Sequence, residues 1–403
     1  MIGRFLTPGV LKQTLLCAVL SIAVLSMAVL PAFAQSEKVV YPFSIQNADG
    51  QDPQAGLVLD QAGNLYGTTF GGGPFGWGTV FEITPAGEEK VLYAFGGKNP
   101  EGMHPNGSLV FDKAGNLYGT TVLGGTNNAG TVFEITAAGT EEVLYSFGSR
   151  SGDGMTPYAG MVFDTKGNLY GTTYGGGVHS GGTVFEITTG GTEKVIYSFG
   201  SHTLDGSHPY YAGLVLGKSG RFYGTTYGGG AHGRGTVFQI NASGKEKVLY
   251  SFGGQPGDGW NPYATVVLDK IGNLYGTTLL GGTYGEGTVF EMTSTGEEKL
   301  LYSFGSQSGD GNEPTAALVL DTAGNLYGTT SQGGLYGVEA RGYGTVFEIT
   351  AGGTEKVLYE FGAQSGDGNY PIAGLVFDKK GNLYGTTEAG GAYGLGTVFV
   401  VTP

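Results

Sequence analysis

The chain has 403 residues with 80 Gly, 25 Tyr, 22 Phe, one Cys and a formal net charge of −14. That aromatic content excludes a disordered low-complexity chain, which lacks the apolar residues to offset the entropy of ordering, and the acidic balance excludes nucleic acid and anionic membrane surfaces as partners. The glycine density excludes a helical fold and leaves an all-β repeat.

In chain order, residues 1–34 read as a secretory signal. Arg4 and Lys12 precede an apolar run from Leu15 to Leu30, and Pro31 and the small-residue site Ala32-Phe33-Ala34 follow it, so cleavage is expected before Gln35. An uncleaved membrane anchor is the alternative reading of that run. No second apolar run of spanning length follows, so the mature chain is expected to have no membrane span. Cys17, the only cysteine, lies in the leader, so the exported domain of residues 35–403 is expected to hold by burial without disulfides. Without Arg4 and Lys12 its net charge is −16.

The next element, Glu37-Lys38-Val39-Val40-Tyr41-Pro42-Phe43, belongs to a phrase that returns as EKVLYAF, EEVLYSF, EKVIYSF, EKVLYSF, EKLLYSF and EKVLYEF. Between these copies, NLYGTT starts at Asn64, Asn116, Asn168, Asn273, Asn325 and Asn382, with RFYGTT at Arg221, at intervals of 52, 52, 53, 52, 52 and 57 residues. GTVFEI or a variant follows each. In the first period the runs are 56–60, 64–69, 78–84 and 89–95. They are short, rich in Val, Tyr, Phe and Thr, and divided by Gly, Pro and Asp, as strands are. Periods of this length indicate a propeller or a solenoid, and strand arithmetic favours the propeller. The seventh unit ends at Pro403 with three strands, and the one fourth-type strand left over is 37–43. The expectation is a seven-bladed β-propeller with four antiparallel strands per blade, closed by the N-terminal strand completing the last blade.

The linked phrases GNLYGTT, GTVFEIT and EKVLYSFG resemble the GloVer tandem repeat of exported bacterial choice-of-anchor proteins, over essentially all of residues 37–403. The resemblance implies export, a propeller and, in many members, a C-terminal sorting anchor, for which Val401-Thr402-Pro403 shows no match. It implies no catalytic residues.

In such a propeller the long 4→1 and 2→3 connections share one face and the short hairpins the other. The 4→1 loops carry an acid-Gly pattern at Asp49, Glu101, Asp153, Asp205, Asp258, Asp310 and Asp367, which is expected to ring the channel mouth. These carboxylates either cap local backbone N–H groups or bind a cation, Ca2+ by preference; no cofactor is required. With Asp52, Glu286, Glu313, Glu339 and Glu388 they set twelve acids against Lys98, Arg150, Arg234 and Arg341, so this face is expected to be acidic, while the other lysines fall on the hairpin side. Its aromatics, among them Trp77, Trp260 and Tyr263, suit a sugar or peptide, or else anchor the loops. His179, His208 and His232 are the weak candidates for a metal site, without any paired-histidine motif. With no mature Cys and no G-x-S-x-G, nucleophilic chemistry has no signature. The reading is an exported monomer that acts as a binding or scaffolding module for a glycan, peptide or protein ligand through its acidic long-loop face, including Arg234 and His208. The alternative is an extracellular or periplasmic glycan-active hydrolase or lyase at the propeller mouth.

Overall fold

Each repeat folds into one twisted sheet because its four runs alternate large apolar residues with glycine and threonine. The first blade pairs Val58–Leu59, Leu65–Thr69, Thr79–Ile83 and Glu89–Ala94 in that order, all antiparallel. Six such blades follow around a ring, the last from Val376–Phe377, Leu383–Thr387 and Thr397–Val401. The computed structural model describes residues 37–46, 48–98, 101–337 and 342–403. The leader of residues 1–34, its cleavage site, Glu339 and Arg341 lie outside the described residues.

The outer strand of the seventh blade is Glu37–Pro42, paired with Thr397–Val401. Its register even carries the family irregularity: the pairing slips between Val39 and Tyr41, as it slips between Val80 and Phe81 in the first blade. The N-terminal strand is thus a true fourth strand, and the ring has no free edge at the seam.

Cores lie between blades. Phe43, Phe95, Phe147, Phe199, Phe252, Phe304 and Phe361, at the ends of the outer strands, are fully buried. Each packs edge-to-face on the phenylalanine of the next blade's third strand, Phe43 on Phe81 at 5.2 Å and Phe361 on Phe399 at 5.0 Å. The second-strand glycine makes room for that ring: a Cβ on Gly67 would stand 2.6 Å from Phe81 Cζ. Gly78, at φ +94°, opens the third strand where a Cβ would meet Thr69 O at 2.2 Å.

The innermost strands are shorter than the expected five residues, with only two ladder pairs each, as in Val58–Leu59. The segment after each loop proline leaves the ladder to line the central cavity, and in six of the seven blades it holds an alanine whose carbonyl is taken by a threonine of the neighbouring blade. Thr386 Oγ1 donates to Ala55 O at 3.1 Å and Thr172 Oγ1 to Ala212 O at 2.8 Å. The 4→1 loops gain an unforeseen pairing instead: Gly50–Gln51 pairs with Gly71–Gly72 of the 2→3 loop, which docks the two long connections of one blade together.

Candidate functional site at the propeller mouth

The seven acids of the 4→1 loops do not ring the channel mouth. All are buried, and all bind the tyrosine of the outer strand before them. The Tyr41, Tyr145, Tyr302 and Tyr359 hydroxyls donate to Asp49 at 3.0 Å, Asp153 at 2.8 Å, Asp310 at 2.9 Å and Asp367 at 2.7 Å. Tyr93, Tyr197 and Tyr250 do the same to Glu101, Asp205 and Asp258. Loop amides complete the set, as Ser149 N and Gly154 N do at Asp153. This is the capping geometry, and it explains why an acid recurs in every copy.

The outer-strand glutamates, for which the sequence offered no site role, join these rim junctions. Strong blade twist tilts each outer strand so that its start meets the end of the preceding one. Tyr93 OH lies 3.4 Å from Glu141 Oε2 of the next blade, and Arg150 pairs with Glu193. Burial first, and the facing aspartate second, push Glu37, Glu89 and Glu298 up to about 7 and Glu355 up to about 8. At Glu193, Arg150 opposes the upward push of burial.

The mouth itself is built from positions that differ between copies. The residue before each loop proline, Asp52, His104, Thr156, His208, Asn261, Glu313 and Tyr370, has φ between 53° and 58°. This left-handed backbone favours glycine, yet a chain with 80 glycines uses none here. The conformation is held from both sides: His208 N donates to Gly181 O of the preceding blade at 2.7 Å, and Tyr227 N of its own blade donates to His208 O at 3.1 Å.

Two sectors result. From the third to the fifth blade, Tyr158, Tyr174, Tyr210, Tyr211, Tyr227 and Tyr263 form one continuous cluster centred on Tyr210, whose ring centroid lies 4.7 Å from Tyr158, 5.0 Å from Tyr174 and 4.9 Å from both Tyr211 and Tyr263. Around the seventh, first and second blades the mouth is polar. Gln54 donates to Glu388 Oε1 at 2.9 Å and accepts from Asn106 Nδ2 at 2.7 Å. Burial, and then Asp52, push the Glu388 carboxyl up. Tyr211 is the extra residue of the 53-residue interval, and its hydroxyl reaches Gln54 Oε1 at 3.4 Å, joining the sectors. Burial pushes the Tyr211 and Tyr263 phenols up, so they stay neutral donors. Beneath them lies a cavity of about 290 Å3, lined by Gln54, Asn106, Tyr158, Tyr211, Thr315 and Ile372 with the inner alanines and glycines.

The remaining predicted residues are dispersed. Trp77 stands edge-on to His104 at 5.0 Å, whereas Trp260 lies under Arg234, whose Cζ is 3.5 Å from the ring centroid. His208 packs on Tyr174 at 5.0 Å, and burial pushes its imidazole pKa down. His179 and His232 are exposed. Among the described residues, the one group of three ligand-type side chains drawn together is His202, Asp205 and Glu246, not His179, His208 and His232. Sequence reasoning missed Gln54, Tyr174 and Tyr227 as mouth residues; copy-to-copy variation next to the invariant Pro and Thr-Thr positions was the available signal.

Among solved structures, the chain is similar to the extracellular domains of BT4673 and BT3049 from B. thetaiotaomicron, both at 13% identity. The TM-scores are 0.58 and 0.59, over 91% and 92% of this chain but only 40% and 41% of those chains. That likeness shows the propeller fold, and this chain spans about two fifths of their length. No curated protein matches the sequence. No helix among the described residues is long and apolar enough to cross a membrane. The model of the Gloeobacter/Verrucomicrobia repeat matches residues 32–212 and 201–399, and with a seven-bladed ring built from that repeat the chain belongs to this family.

Proposed function

We propose that the chain is an exported glycan-binding module that takes the end of a sugar chain at the propeller mouth. The observation that carries this reading is the tyrosine cluster joined through the Tyr211 hydroxyl to the Gln54–Glu388 pair. Pyranose rings offer a patch of C–H groups that suits an aromatic face, and their hydroxyls suit amide and carboxylate partners. A cavity of about 290 Å3 is near the lower end of small-ligand sites, roughly 300–1,000 Å3, so a terminal sugar is the size expected to enter it. Export is supported by the leader of residues 1–34 and by structural neighbours that are extracellular domains.

Glycan-array binding of residues 35–403, followed by calorimetry on the best ligand, tests this. Tyr210→Ala and Gln54→Ala are expected to weaken binding roughly thirty-fold or more; an affinity unchanged in both variants, or a peptide bound in preference to every glycan, refutes the proposal. Asp52 and Glu388 favour one second reading, because both carboxyls are pushed up and they face each other electrostatically. Release of sugar from a bound glycan, abolished by Glu388→Gln, would convert the binding module into the hydrolase.

A further inference from the structure

We propose that His202, Asp205 and Glu246 form a divalent-cation site of the zinc class that clamps the outer strand of the third blade to that of the fourth. A ring nitrogen of His202 and one carboxylate oxygen from each acid lie within 4.8 Å of one another. Asp205 ends the loop after Glu193–Ser198, and Glu246 begins the outer strand Glu246–Ser251 of the next blade, so a shared ion bridges two sheets that have no ladder between them.

Comparison of the seven junctions isolates this one. The residue three before the loop acid is Gln46, Lys98, Arg150, His202, Gln255, Gln307 or Gln364. Where it reaches the next blade it donates to the glutamate: Arg150 to Glu193, Gln307 to Glu355 at 3.1 Å and Gln364 to Glu37 at 3.3 Å. The side chain in this place thus serves to neutralise or bond a half-buried carboxylate. The His202 imidazole makes no hydrogen bond to either acid; the residue meets Asp205 only through its carbonyl, which accepts from Asp205 N at 3.0 Å, and histidine occurs here in this copy alone.

The acids have unused capacity. Asp205 is only 3% exposed; Oδ2 accepts from Tyr197 OH and Ser201, but its Oδ1 is buried without a donor, and so is Oε1 of Glu246. The same two oxygens are orphaned at the Asp310–Glu355 and Asp367–Glu37 junctions, where a glutamine bonds the second glutamate oxygen, so the histidine is what sets this junction apart. Two carboxylates in apposition, with lone pairs turned from water, call for a cation. One imidazole and two carboxylates are a zinc-type set that leaves the fourth tetrahedral position to water. Ca2+ takes six to eight oxygen ligands and is the poorer fit.

The experiment uses residues 35–403 stripped with EDTA, then titrated with ZnCl2 by calorimetry and followed by thermal unfolding. One Zn2+ per chain and a rise in Tm are expected. His202→Gln installs the residue of four other junctions, so it is expected to fold with an unchanged metal-free Tm and to lose both the binding and the rise. The double variant His179→Ala with His232→Ala is expected to keep both. Binding retained by His202→Gln, or lost in the double variant, overturns the proposal, as does the absence of any zinc-dependent shift in the parent chain.

Discussion

The rim junctions and the mouth occupy the same seven loops and obey opposite rules. At the rim the same trio recurs: an outer-strand tyrosine, the loop acid it binds and the glutamate of the next blade, as in Tyr302, Asp310 and Glu355. At the mouth, a few residues further on, the backbone repeats but the side chains do not, from Asp52 to Tyr370 and from Gln54 to Ile372. Repetition therefore marks what the ring needs to close, and variation on an identical backbone marks what is free to meet a ligand.

The comparison is broken most forcefully at the seam. Phe43→Ala empties a fully buried site between the seventh and first blades and is expected to cost about 3–5 kcal/mol in denaturant unfolding. An unchanged midpoint would mean that the ring does not depend on its N-terminal strand. Next, Tyr210→Ala is expected to weaken glycan binding by about 2 kcal/mol or more, roughly thirty-fold, as removal of a central aromatic anchor does. Asp310→Ala should leave that affinity intact while destabilising the fold by about 1–3 kcal/mol, because Tyr302 and Ser306 lose their acceptor. If the two variants exchange phenotypes, rim and mouth have been assigned the wrong way round.

The rim also predicts a pH dependence. Glu37, Glu89, Glu298 and Glu355 titrate higher in the folded chain than the usual 4.5, at about 7 to 8. The folded state thus holds protons that the unfolded state has released, and stability falls as pH rises. Their contribution is complete below about 4.5 and is lost as pH climbs through 7 to 8. His208, pushed down by burial, works the other way but is a single group. Tm is expected to be higher near pH 5 than near pH 8, with a smaller fall in Glu355→Gln; a rising profile would contradict the buried-carboxyl account. The smallest effect belongs to Arg150→Gln. Its half-exposed guanidinium pairs with the buried Glu193, and the glutamine that replaces it bonds the same glutamate at two other junctions, so the cost is expected to be about 1 kcal/mol.

Much of the fold was legible because a repeat announces its own strands. Counting the outer-strand phrase placed Glu37–Pro42 in the last blade without any coordinates, since one strand was surplus at one end and one missing at the other. The site was less legible. The loop acids stood out because they recur, and recurrence was read as a ring at the mouth, whereas each carboxylate turns outward to its tyrosine. The pairing of Glu246 with Asp205 was invisible for a related reason: strand order places those residues at opposite ends of a blade, and only the twist of the sheets brings them together.

By itself, then, the sequence determined the number of blades, the order of their strands and the closure of the ring, because hydrophobic period, turn residues and strand count are properties of the chain alone. The tertiary structure decided which side chains share a surface. Tyr158, Tyr210 and Tyr263 come from three different blades, and Gln54 meets Tyr211 across 157 residues. Those encounters depend on how far each sheet twists and how its loops pack on the next, which no single repeat encodes.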